Sequence, residues 1–181
     1  MVPLIPRHRK DEKGFTLIEV MIASVVLVTG LLAVAYGLGV GLTVVSTSQQ
    51  DTVARQKARE AMEDVFTARD TASITFDQIC NVAANTSCIF VNGFTGLTTP
   101  GTDGIVNTAD DGAVETVDMP GPDGILGTAD DVYPPLNGFQ RSIQVVQLSS
   151  ILKQITVTIR YETPKGIARQ VTLTAVMSPY V

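Results

Sequence analysis

Lys13 to Val45 reads KGFTLIEVMIASVVLVTGLLAVAYGLGVGLTVV, and this stretch decides the fold. From Phe15 to Val45 it holds a single formal charge, Glu19. An apolar run longer than about 18 residues has the length and composition of a membrane-spanning helix. A carboxylate inside hydrocarbon costs roughly 2.5–3.5 kcal/mol on insertion scales, so an acid kept there points to a function. Here the acid follows Phe15 by four residues, and Phe15 directly follows Gly14. Working outward, residues 1–14 carry Arg7, Arg9, Lys10 and Lys13 against Asp11 and Glu12. Basic residues before the span and none soon after it place the N-terminus in the cytoplasm and the bulk of the chain beyond it.

The string Gly14-Phe15-Thr16-Leu17-Ile18-Glu19-Val20, after the basic leader RHRKDEK, resembles the type IV prepilin family. The resemblance is specific over residues 13–35 and looser over the whole layout. It implies that a prepilin peptidase on the cytoplasmic side cuts between Gly14 and Phe15 and N-methylates Phe15. It also assigns Glu19 to subunit assembly. The chemistry of the residues agrees. Glycine lets an extended backbone enter a peptidase groove. After the cut, the Phe15 amine is a positive charge in a low-dielectric helix bundle, costly alone and tolerable when paired. Glu19 of a neighbouring subunit supplies that pair and sets the axial register. Two other readings of the span are an ordinary signal anchor with Glu19 snorkelling to the interface and a cleaved secretory signal with Ala33 and Ala35 at the cut. The second is disfavoured by a run about twice the usual apolar length and by the acid near its start.

The chain has 181 residues, enough for one domain plus a long helix. Removing residues 1–14 takes the formal charge from −5 to −7, so no nucleic-acid-binding surface is expected. His8 is the only histidine and lies in the leader, which removes histidine-based catalytic and zinc sites from the rest. Pro3 and Pro6 keep the leader from extending the helix.

The predicted organisation is a leader at 1–14, a hydrophobic transmembrane and polymerisation helix at 15–45, and an amphipathic helix half at 46–70. A loop region at 71–138 and a three-stranded antiparallel sheet at 139–181 follow. In the hydrophobic half, Gly30, Gly37, Gly39 and Gly41 permit close helix packing; a dinucleotide loop at the last three would need a preceding strand. Many major pilins carry a proline in this half, and this chain has none. Val53, Ala54, Ala58, Ala61, Met62, Val65 and Phe66 recur at steps of three and four and form one apolar stripe. Arg55, Lys57, Arg59, Glu60, Glu63 and Asp64 read as a solvated face. Cys80 and Cys88, the only cysteines, are expected to pair as a disulfide outside the cytoplasm, the alternatives being a metal pair or free thiols. Closing so short a loop would stabilise by roughly 2–3 kcal/mol.

Residues 101–132 contain an internal repeat. GTDGIVNTADD at 101–111 returns as GPDGILGTADD at 121–131, and the segment holds eight acids and no Lys or Arg. Calcium takes about six to eight oxygen ligands, commonly carboxylates and carbonyls in a turning loop. The candidate ligands are Asp103, Asp110 and Asp111 in one copy and Asp123, Asp130 and Asp131 in the other, with Asn107 a weaker addition. The spacing departs from the EF-hand, and an acidic surface loop without an ion remains the competing reading. No organic cofactor is expected.

Strands are predicted at Ser142–Ser149, Gln154–Glu162 and Ala168–Met177, where apolar and polar residues alternate. Thr163-Pro164-Lys165-Gly166 is a turn by its chemistry, so the last two strands form a hairpin. An α+β fold follows, pilin-like, with the sheet laid on the apolar stripe of the helix. The expected role is a non-enzymatic minor pilin of a type IV pilus. A minor pseudopilin of a type II secretion system is the near alternative; a membrane-anchored calcium-binding or adhesin module is a more distant one. Expected partners are other pilin or pseudopilin subunits, the prepilin peptidase, the inner-membrane assembly platform, and membrane lipid before assembly. The expected location is the bacterial inner membrane and then a pilus or pseudopilus, with the head in the periplasm or at the cell surface.

Overall fold

A computed structural model describes residues 14–82 and 87–180. The leader up to Lys13, with His8, and residues 83–86 between the cysteines lie outside the described residues. The chain divides into two units, Met1–Val44 and Val45–Val181.

The first unit is the apolar part of a single helix, α1, Leu17–Asp70. It starts at Leu17, two residues after the expected start, because Thr16 acts as the cap: the Glu19 N–H donates to the Thr16 hydroxyl at 3.3 Å and to its carbonyl at 3.1 Å. Every residue from Gly14 to Leu42 is exposed. The most hydrophobic window has a mean hydropathy of 2.5 and none of it is buried. A soluble core helix would hide such a face. Ser24, Thr29 and Thr43 turn their hydroxyls back onto carbonyls of the preceding turn, which satisfies their polar groups without water.

In the second unit, the last turns of α1 bury Ala54, Ala58, Ala61, Met62 and Val65 of the expected stripe, with Val53 and Phe66 at its margins, and Ala68, which the expected stripe did not include. The sheet has four strands: β1 Thr95–Gly96, β2 Phe139–Ser149, β3 Leu152–Glu162 and β4 Ala168–Met177, in that order and all antiparallel. The fourth strand corrects the expectation of three. β1 is two residues long, too short to show any alternation in the sequence. β2 begins at Phe139, three residues before the expected start, and pairs Phe139 with Tyr161. Ile155, Val157, Ile159 and Tyr161 of β3 face inward and join the helix stripe in one apolar cluster. Thr156, Thr158 and Arg160 alternate with them, as read. The β3–β4 turn closes with the Gly166 N–H on the Thr163 carbonyl at 2.8 Å; Gly166 takes φ +72°. This is the α+β, pilin-like arrangement that the resemblance implies.

Residues of the loop region complete the core. Ile74, Ile79, Phe90, Leu97, Ile105 and Val106 are buried. Cys80 and Cys88 are joined as a disulfide.

Candidate functional site

At the N-terminal end, Gly14, Phe15 and Thr16 precede the helix, and Phe15 is 83% exposed. A Cβ added at Gly14 would meet nothing within 4 Å. Thr16 and Glu19 sit at the spacing of a helix-capping pair; that T-x-x-E signal is in the sequence and locates the helix start. No ion pair of Glu19 occurs among the described residues. Added Cβ atoms at Gly30, Gly37, Gly39 and Gly41 would likewise meet nothing within 4 Å, so packing inside this chain does not require these glycines.

The acidic repeats fold as two copies of one loop. Gly104 and Gly124 take φ of +72° and +71°; each donates its N–H to the carbonyl three residues earlier, at 3.2 and 3.0 Å. The N–H of Ile105 donates to Asp103 and that of Ile125 to Asp123, each at 2.8 Å. Thr108 and Thr128 donate their hydroxyls to Asp110 and Asp130 at 2.8 and 2.6 Å. Asp111 and Asp131 accept the N–H of Asn107 and Gly127, which hold φ of +67° and +90°. The six candidate ligands therefore act as acceptors that close the loops on N–H and O–H donors. Among the described residues, no group of three or more His, Cys, Asp or Glu side chains is placed to hold a metal ion. Asn107 is buried, accepts from Thr95 and donates to the Val91 carbonyl.

The copies differ in what they bury. Ile105 and Val106 are 0% and 4% exposed, while Ile125 and Leu126 are 61% and 57% exposed. They also differ 20 residues apart at one support: Thr98 donates its hydroxyl to Asp111 at 2.7 Å, and the equivalent position is Asp118, which as an anion has no proton to give.

The hydrogen bonds from Thr108, then from Thr102, hold the Asp110 carboxyl well below its ordinary value of 3.8, at about 2, and the Thr128 hydroxyl bond lowers Asp130 in the same direction. A depressed carboxyl contributes stability above its unfolded pKa and loses it as pH falls through its folded one. Between pH 3.8 and about 2, the amides of Thr102 and Asp103 are expected to lose hydrogen-exchange protection. Unchanged protection across that window would show that the carboxylate does not hold the loop.

Residues 9–35 match a protein-family model described as the prokaryotic N-terminal methylation motif. This supports a type IV prepilin- or pseudopilin-like protein. Comparison with curated proteins and with solved structures returned no match. The match covers Gly14, Phe15, Glu19 and the apolar helix as far as Ala35, and leaves the head of this prepilin-like chain outside it.

That head contains an ionic cluster which the sequence reading missed. Glu115 receives Arg141 from β2 at 2.9 Å and Lys57 from α1 at 2.8 Å. Lys57 also meets Glu60 at 2.7 Å, and Arg141 donates to the Thr98 carbonyl at 3.0 Å. Arg141 is 1% exposed. Lys57 thus corrects the solvated-face reading: burial alone would lower its pKa, but its bonds to Glu115 and Glu60 outweigh that and raise it. Asp64 is displaced upward by burial, only partly offset by Arg141. Lys153 is buried too, with its amine on the carbonyls of Phe76 and Ile79 at 2.6 and 3.0 Å and over the Phe76 ring. One signal was available: Arg141 shares strand parity with Phe139 and Ile143, and Lys153 with Ile155.

Proposed function

We propose that this chain is a minor pilin of a type IV pilus, a structural filament subunit without catalytic activity. The observation that carries the reading is the apolar half of α1. It carries one acid, none of its most hydrophobic window is buried among the described residues, and it begins at the matched methylation motif. Such a face needs lipid before assembly and neighbouring helices after it. The prepilin peptidase cuts Gly14–Phe15 and methylates Phe15, and the subunit then leaves the inner membrane through the assembly platform. The absence of proline from the apolar helix and the long hairpin TVTIRYETPKGIARQVTLTAV support a minor rather than a major subunit.

Intact mass and N-terminal sequencing of the protein from its host membrane test the processing. The expected start is N-methylated Phe15; a start near Gly37 would identify a conventional signal peptide. Recovery of the mature chain in sheared filaments tests the role, and its absence there with the membrane form abundant would sink the pilin reading.

Glu19→Val separates anchoring from assembly. Replacing the acid with an apolar residue removes the roughly 2.5–3.5 kcal/mol insertion cost, so insertion and cleavage are expected to persist. Entry into filaments is expected to fall, because the Phe15 amine of the neighbour then lacks its counter-charge. Filament content is read by immunoblot at matched membrane levels. Wild-type incorporation of the variant would remove Glu19 from assembly.

A further inference from the structure

We infer that the second acidic repeat is a plug that docks on the β3–β4 hairpin end of a second copy of this chain. The inference rests on the filament reading and goes beyond it by naming the surfaces and the partner. The first repeat shows what this loop is built to do. Its Asp-Gly turn and its closing Thr-Ala-Asp-Asp present Ile105 and Val106 as an apolar pair, and the head takes that pair into its core. The second repeat keeps the same turn, hydroxyl and carboxylate bonds, and presents Ile125 and Leu126 to solvent. The stretch around it also exposes Val132 and Tyr133. A loop held this tightly around an apolar pair left more than half exposed among the described residues has the form of an interface element.

Charge chooses the partner. The exposed acids Asp118, Asp123 and Asp130 flank the pair in sequence, and no Lys or Arg lies anywhere in 101–132. The complementary surface must be basic with apolar ground between the charges. The β3–β4 hairpin end of this chain meets both needs. Arg160, Lys165 and Arg169 are exposed there, with Arg55 of α1 close by, against two acids, Glu162 and the Asp51 that bonds Tyr161 and pairs with Arg55. Arg160 also donates to Gln140 and lies over the Phe94 ring, and Ile167 is exposed beside them. A depression of about 500 Å³, lined in part by Gln140, Arg160 and Ala168, opens at the same end. Plug and socket are different patches of one chain, so their contact is heterologous: each copy can use its socket for one neighbour and its plug for another. Heterologous contacts that do not close into a ring grow as open helical assemblies, which is the symmetry of a filament.

The test uses the full-length chain in its host. Two tagged versions are co-expressed, one Leu126→Cys and the other Ala168→Cys, both keeping Cys80 and Cys88. Proper processing and membrane level of each variant establish that it folds and inserts. The expected result is a mixed thiol crosslink joining the two tags, lost when Lys165→Glu is added to the socket version. Crosslinks only between two Leu126→Cys chains would mean a two-fold contact and overturn the inference. Crosslinks only to a different polypeptide would overturn it by naming another partner. Wild-type chain in sheared filaments without the mixed crosslink would remove this interface and leave the filament role standing; wild-type chain absent from filaments would instead remove the role.

Discussion

Glu115→Ala is expected to destabilise the head by about 3–5 kcal/mol, the usual cost of breaking a buried ion pair by removing one partner. The carboxylate joins three elements: Lys57 on α1, Arg141 on β2, and its own segment. The backbone of that segment is tied on both sides, with the Glu115 N–H on Leu97 and the Leu136 N–H on Glu115. Truncation leaves the guanidinium of a 1% exposed arginine without its anion. Glu60 remains for Lys57, while Arg141 keeps the Thr98 carbonyl as its hydrogen-bond acceptor and only the unbonded charge of Asp64 nearby. Arg141→Met in the Glu115→Ala background should recover part of the loss, because an apolar side chain of similar length removes the orphan charge. Denaturant unfolding of the full chain in detergent, followed by hydrogen exchange at β3 amides, measures both. A double variant no more stable than the single would show that the cluster acts by shape alone. The raised Lys57 pKa gives a second readout. Its contribution is present below 10.5 and is lost as pH rises through the folded value, so wild type should lose stability in alkali that Glu115→Ala has already lost.

The elements that repeat were legible. Thirty or so residues with one acid, a stripe at steps of three and four, and strict alternation in β3 each carry their period in the sequence, and each folded as read. Boundaries and pairings without a period were not. β1 is two residues, and nothing in Thr95–Gly96 marks it as a partner of Gln140 and Arg141. The Lys57–Glu115–Arg141 cluster joins residues far apart in the chain, and charged side chains on a helix ordinarily face water, so Lys57 reads as solvated until the sheet is in place. The aspartates of the repeats were ambiguous for a chemical reason. A carboxylate two residues before an N–H donor, within a turn closed by glycine, suits a cation ligand and an Asx-type loop closure equally. The placement of the N–H groups shows which backbone donors these carboxylates meet. Whether a chain of this kind caps a fibre or lies within it is a property of surfaces between subunits, for which one chain's sequence holds no period at all.

The repeated loops also permit a paired experiment in which the same substitution has two different costs. A Cβ added at Gly101 would lie 2.3 Å from the carboxyl carbon of Asp110 and 2.4 Å from its carbonyl oxygen; at Gly121 it would lie 2.5 and 2.2 Å from the same atoms of Asp130. One of these obstacles is backbone in each case, so both loops must open to accept alanine. The local strain is therefore alike. The consequence is not, because the first loop holds Ile105 and Val106 in the core and the second holds nothing there. Gly101→Ala is expected to lower head stability by about 1–3 kcal/mol, the scale of overpacking in a filled interior. Gly121→Ala should stay within about 0.5 kcal/mol, as for a surface change, while making 121–131 more susceptible to proteolysis. If the second loop docks on a neighbour, Gly121→Ala should also reduce the plug-to-socket crosslink although the head remains folded. Equal destabilisation by the two substitutions would show that the second copy supports the head as the first does, and that its exposed pair is structural after all.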